Sequence, residues 1–123
     1  MEFNNLQFHK KEPMYPQLSR YIKKQILAGK ISHYEELPSR RELAVMLSIN
    51  PNTVQKAYKQ LEDENIIKTI SNVKSVVIVT DETLTKLKTE MIEETVQHFI
   101  HECKSSGLDF QQTITLISKL WNP

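Results

Sequence analysis

The residues best placed to do chemistry lie between positions 50 and 63. At about 100° per residue, Asn52, Gln55, Lys56, Lys59 and Asp63 fall on one side of a helix, and Val54, Ala57, Tyr58 and Leu61 fall on the other. An Asn or Gln amide carries a donor and an acceptor in one plane, which is the pattern an adenine edge presents in a DNA major groove. Lysine reaches phosphate or guanine. Asn50 and Pro51 precede this face. They suit the N-cap and the first helical position, where proline's missing N–H does no harm. A helix start also turns free N–H groups and a positive dipole end toward any nearby phosphate. On its own, this face is also what a solvated amphipathic helix shows. Upstream, Ser39 and Glu42 form an S-x-x-E capping box, so Arg40 and Arg41 enter the first turn of a preceding helix.

Two other clusters invite a reading. Glu94, His98, His101 and Glu102 follow at steps of four, three and one on one helix, and such nitrogen and oxygen donors suit zinc. A solvated polar face accounts for them better, and no metal is expected. Cys103 is the single cysteine. It excludes an internal disulfide and fits a reducing compartment, and its apolar helical phase reads as a packed thiol. No Ser/His/Asp set, glycine-rich phosphate loop or carboxylate cleft can be assembled, so neither an enzyme nor a cofactor is expected.

The elements that must position these residues are mostly helices. "EPMYPQLSRYIKKQILAGKI" is a helix with the stripe Leu18, Tyr21, Ile22 and Ile26, with Pro16 in its first turn and Gly29 at its stop. A loop, "SHYEE", leads to the short helix behind Ser39. "SIN" is then a three-residue turn, and the next helix runs to about Glu64, with Asn65 suited to a left-handed stop. "IIKTI" and "SVVIV" are rich in β-branched residues and are separated by "SNVK", so they read as a hairpin. A long helix starts at Thr80 or Asp81, with an apolar face of Leu84, Leu87, Met91, Val96, Phe99 and Ile100, and Gly107 ends it. Asp109 and Gln112 form a second capping box before a last helix with Ile114, Ile117, Leu120 and Trp121. The expected fold is mainly α with a small β-hairpin wing. Residues 1–80 form a winged helix-turn-helix, and residues 81–123 form a two-helix tail.

Bulk properties agree. At 123 residues, with 39% hydrophobic and 25% charged residues, the chain is an ordinary small globular protein. No apolar run approaches the ~20 residues of a membrane span. "MEFNNLQF" is too polar for a secretory leader, so a cytoplasmic location is expected. The net charge of +1 divides unevenly: residues 1–80 hold 12 basic and 8 acidic residues, and residues 81–123 hold 4 and 7. A polyanion would therefore meet the front of the chain.

The elements "P-x-Y-x-Q", "I-x-x-G-x-I", "LPS-x-REL" and "N-P-N-T-V-x-x-A-Y-x-x-L" together span residues 13 to about 79. In spacing and residue type this run closely resembles the DNA-binding domain of the GntR family of bacterial transcription regulators. The short helical tail resembles its YtrA-like subfamily. The resemblance implies DNA-binding roles for Ser39 and Arg41, for Asn52, Thr53 and Gln55 at the head of the recognition helix, and for Lys56. Arg40, at the variable position of that motif, could add a phosphate contact. It further implies control of the chain's own operon, often one encoding an ABC-type membrane transporter. Two departures stand out. "SHYEE" replaces the family's Pro-Gly, and "SNVKS" replaces a Gly-x-Gly wing tip. There, Asn72 could supply a positive-φ residue and Lys74 the charge toward the minor groove or a phosphate.

Residues 81–123 are too few to enclose a metabolite pocket, and their apolar faces are too broad for a lone surface helix. A homodimer is expected, seated on Leu84, Leu87, Met91, Val96, Phe99, Ile100, Ile114, Ile117, Leu120 and Trp121. It would set two recognition helices against a near-palindromic double-stranded operator. No motif assigns a small-molecule effector. The competing reading is a winged domain used for protein interaction, without specific DNA binding.

Overall fold

The computed structural model describes residue 3, residues 6–71 and residues 74–122. Among these are helices α1 (Met14–Leu27), α2 (Arg40–Leu47) and α3 (Pro51–Asp63), strands β1 (Ile67–Ile70) and β2 (Lys74–Val77), and helices α4 (Asp81–Ser105) and α5 (Phe110–Leu120). The chain divides into two compact units, Met1–Leu87 and Lys88–Pro123.

The first unit has a core built from the apolar stripes of three helices. Leu18 and Ile22 of α1, Leu43 of α2, and Val54, Ala57, Tyr58 and Leu61 of α3 are all fully buried. Burying a large aliphatic side chain stabilises by about 1.5–3 kcal/mol, so these residues dominate the packing of α1 and α2 on α3. Gln17 ties the preceding arm to α1. Its amide donates to the carbonyls of His9 (2.9 Å) and Glu12 (3.0 Å) and accepts from the His9 N–H (3.0 Å). Phe3 stacks on Tyr21, with ring centroids 5.6 Å apart.

Local chemistry sets the helix ends. Ser39 caps α2, with Oγ accepting from the Glu42 N–H (3.1 Å) and Glu42 Oε1 accepting from the Ser39 N–H (3.3 Å). Ser48, with φ of 55°, closes α2 in a left-handed conformation, and the Ile49 N–H bonds back to the Ala44 carbonyl (3.0 Å). Asn50 caps α3 and Pro51 is its first residue. Asn65, with φ of 60°, turns the chain out of α3 as its side chain allows.

The hairpin is shorter than its β-branched runs. It pairs Ile67 with Val77 through Ile70 with Lys74, and only the Ile78 N–H to Ile66 carbonyl bond (2.9 Å) continues beyond. The far edge of β2 is covered by the loop between α1 and α2. Leu37 N–H bonds the Ser75 carbonyl (2.8 Å), Val77 N–H bonds the Glu35 carbonyl (3.0 Å), and Tyr34 N–H bonds the Val77 carbonyl (2.6 Å). Covering this edge removes a template for unwanted strand pairing. It also places Tyr34 at φ of 68°, a region glycine enters freely and a bulky residue does not. Tyr34 thus holds, under strain, the turn for which the related pattern uses Pro-Gly. The wing tip at Asn72 and Val73 lies outside the described residues.

Helix α4 starts with Thr80 Oγ1 accepting from the Thr83 N–H (3.1 Å). Leu87 is buried within the first unit, at 5% exposure, so this residue of the expected dimer face is already covered by its own chain. Helical phase alone could not show which body Leu87 would face.

In the second unit, Gly107 with φ of 85° ends α4. Asp109 and Gln112 then close the second capping box (2.8 and 2.9 Å). No described residue of this unit is buried. Val96, Phe99, Ile100, Cys103, Phe110, Ile114 and Ile117 line an apolar groove between α4 and α5. No helix among the described residues is long and apolar enough to cross a membrane.

Candidate nucleic-acid interface

The residues singled out at the head of α3 stand in the open. Asn52, Gln55 and Lys56 are exposed and Thr53 is half-buried, while Val54, Ala57, Tyr58 and Leu61 face inward. The division between a polar outer face and an apolar inner face is the one the spacing predicts. The backbone at this helix start differs from the expectation of free amides. Pro51 has no N–H, the Asn52 N–H is taken by Asn50 Oδ1 (2.8 Å), and the Thr53 N–H bonds the Asn50 carbonyl (2.9 Å). Lys56 Nζ lies 5.8 Å from the ring centroid of Tyr15, at the start of α1, and Lys59 pairs with Asp63 (3.3 Å). Tyr15 is a neighbour of the polar face that spacing along α3 could not reveal.

The two arginines of α2 differ sharply. Arg41 is exposed and makes no ion pair among the described residues. Arg40 is engaged: its Nη2 donates to Glu62 Oε1 (3.0 Å), and its Cζ sits 5.2 Å from the Tyr58 ring centroid. Glu62 Oε1 also accepts from the Thr69 hydroxyl. Ser39 spends its hydroxyl on the cap.

Tyr58 lies beneath this arrangement. It is fully buried, and its hydroxyl donates to the Pro38 carbonyl (2.6 Å), which fixes the residue pair just before α2 against α3. Burial pushes the phenol well above the ordinary tyrosine range; the Arg40 charge pulls the other way and Glu42 adds to the rise.

Lys74, at the wing, is exposed, with Nζ 3.9 Å from Glu36 Oε2, a distance that leaves it free to turn outward. Asn72, its expected companion, lies outside the described residues. In the second unit, His98 Nε2 is 3.9 Å from Glu102 Oε1, both largely exposed, and no group of three or more His, Cys, Asp or Glu that could hold a metal is assembled among the described residues.

A short helix, a three-residue turn, a second helix with a polar head, and a hairpin whose edge carries a lysine define a winged helix-turn-helix, a DNA-binding architecture. Residues 14–77 match the family described as "Bacterial regulatory proteins, gntR family". The chain is 36% identical over 101 residues to the HTH-type transcriptional repressor YtrA of Bacillus subtilis, a match covering 81% of this chain and 78% of that protein. Its fold is similar to a GntR family transcriptional regulator from Listeria monocytogenes (TM-score 0.78, 29% identity, 92% of this chain and 99% of the other). It is also similar to a transcriptional regulator from Oenococcus oeni (TM-score 0.68, 30% identity, 98% of this chain and 100% of the other). The chain belongs to the GntR family. It is a DNA-binding transcription regulator of the YtrA-like kind and not an enzyme.

Proposed function

We propose that this protein is a homodimeric repressor that binds a near-palindromic operator upstream of its own operon. The observation that carries this reading is the outward polar head of α3, Asn52, Gln55 and Lys56, beside an exposed Arg41 that has no ion pair among the described residues. Asn52 and Gln55 read base edges, preferentially adenine, by paired amide hydrogen bonds. Arg41 reaches DNA from the first turn of α2, and Lys56 and Lys74 contact phosphates. Thr53 and Ser39 line the approach. Repression follows the similarity to the repressor YtrA, and control of an ABC-type transporter operon follows the subfamily resemblance.

The dimer is supported by the second unit. Its 36 residues, Lys88–Pro123, bury none of their described side chains, and a segment below about 40 residues rarely sustains a core alone. Phe99, Ile100, Ile114, Leu120 and Trp121 are between 39% and 75% exposed, an apolar patch that water does not favour. A second copy of the tail covers it. Met91, Val96 and Ile117 complete the face, while Leu84 and Leu87 anchor the start of α4.

A nuclease footprint over the region upstream of the start codon, paired with transcription in vitro, tests the reading. Two protected half-sites about 34–36 Å apart, or a multiple of that, and reduced transcript are expected. An unprotected upstream region would contradict it and favour a protein-interaction role for the winged domain.

A further inference from the structure

The arginine beside Arg41 is held within the fold. Arg40 Nη2 donates to Glu62 Oε1 at 3.0 Å, and that same oxygen accepts from the Thr69 hydroxyl. One carboxylate of α3 therefore holds both the first turn of α2 and strand β1 of the wing. The pair is mostly out of solvent, with side chains 24% and 31% exposed. Arg40 Nε is closed off from solvent without a hydrogen-bond partner of its own, and the guanidinium lies over the Tyr58 ring. An arginine drawn from this place to a phosphate would leave Glu62 half-buried and unpaired, close to the DNA's own negative charge. Breaking one side of such a pair is more costly than the pair is worth. Kept in place, Arg40 adds no net charge at the interface, because Glu62 cancels it.

We propose that Arg40 is a positioning residue: through Glu62 and Thr69 it locks α2, α3 and the wing into one frame, from which Arg41 and Lys74 reach DNA. Successive helix residues point about 100° apart, so pinning Arg40 against α3 also sets the direction of Arg41. The wing is held at Thr69, whose strand partner is Ser75, next to Lys74. The inference rests on the reading that α2, α3 and the wing together bind the operator.

Four variants of the full chain decide it: Arg40→Gln, Glu62→Gln, Thr69→Val, and the Arg40→Gln/Glu62→Gln double variant. Operator affinity is measured over a range of salt concentrations, well below each variant's melting temperature. Hydrogen exchange at the β1 and β2 amides is measured without DNA. Each single variant should bind about three- to tenfold more weakly, and the double variant should be no weaker than its worse parent, as coupled residues behave. The salt slope of Thr69→Val and of the double variant, which leave the net charge as in the parent, should stay that of the parent, and exchange at the hairpin should quicken in all four. A phosphate-contacting Arg40 predicts the reverse. The double variant would then lose about one unit of salt slope, while Glu62→Gln, which removes a negative charge near DNA, would bind as well as the parent or better. That result overturns the proposal, as does unchanged affinity and exchange in Glu62→Gln. A parent chain that binds no DNA would sink the operator reading instead, and hairpin exchange would still show whether the lock exists.

Discussion

Single side chains in the proposed interface separate into those that stand exposed and those tied into the frame beneath them. Asn50 and Asn52 are two residues apart and do different jobs. Asn50 Oδ1 caps α3 (2.8 Å), whereas the Asn52 amide is exposed. Asn50→Ala should lower stability by about 1 kcal/mol in thermal unfolding and leave the sequence preference unchanged. Asn52→Ala should leave the melting temperature in place and cost about 1–3 kcal/mol of discrimination in competition binding. Arg41→Ala should weaken operator binding at least about tenfold with the fold intact, since one good contact is worth roughly 1–3 kcal/mol. Tyr58 gives a prediction in pH. Its phenol is raised in the folded state by burial, so above about pH 10 the unfolded chain releases a proton that the folded chain keeps. Stability is complete below that pH and is lost as pH rises beyond it. Tyr58→Phe should lose the hydrogen bond to Pro38, about 1 kcal/mol, and should unfold less steeply with alkali than the parent. Flat and identical alkaline profiles for the two would contradict this. The exposed polar face of α3 was legible from spacing along one helix. The Arg40–Glu62 pair was not, because 22 residues separate partners that only tertiary packing brings together.

At the level of elements, the helix caps and stops were legible in the sequence. The caps at Ser39, Asn50 and Asp109 and the stops at Gly29, Asn65 and Gly107 lie where the sequence places them, because each is a contact between near neighbours. The hairpin runs shorter than its β-branched residues suggest. Ile66 and Val79, just outside the strands, are held by burial, and β-propensity reports that burial as much as strand pairing. The loop "SHYEE" gives the least expected feature. Tyr34 is 72% exposed at φ of 68°, and its ring meets His33 at a centroid distance of 3.8 Å. A left-handed conformation costs a non-glycine residue about 1–2 kcal/mol, and glycine returns part of that through unfolded-state entropy. Tyr34→Gly should therefore raise stability by about 0.5–1 kcal/mol in denaturant unfolding. A loss of stability would mean that the His33–Tyr34 contact outweighs the strain.

For the molecule as a whole, the two compact units divide after Leu87, within the helix that follows the Thr80 boundary suggested by the sequence. Leu87 belongs to the first unit, while no described residue after it is fully buried. Phe99→Asp in the full chain should shift sedimentation from dimer to monomer and weaken operator binding, because one half-site then binds without its pair. A dimer that survives the substitution would place the interface elsewhere. The central claim is specific reading of DNA by α2, α3 and the wing. A fluorescence anisotropy titration of the parent chain tests it most directly, using its own upstream duplex and a scrambled duplex at 50 mM and 200 mM salt, the range over which phosphate contacts reduce affinity steeply. The account predicts tight dimeric binding to the upstream duplex, weakened by salt, and far weaker binding to the scrambled one. Equal affinity for the two duplexes, or binding indifferent to salt, would contradict it.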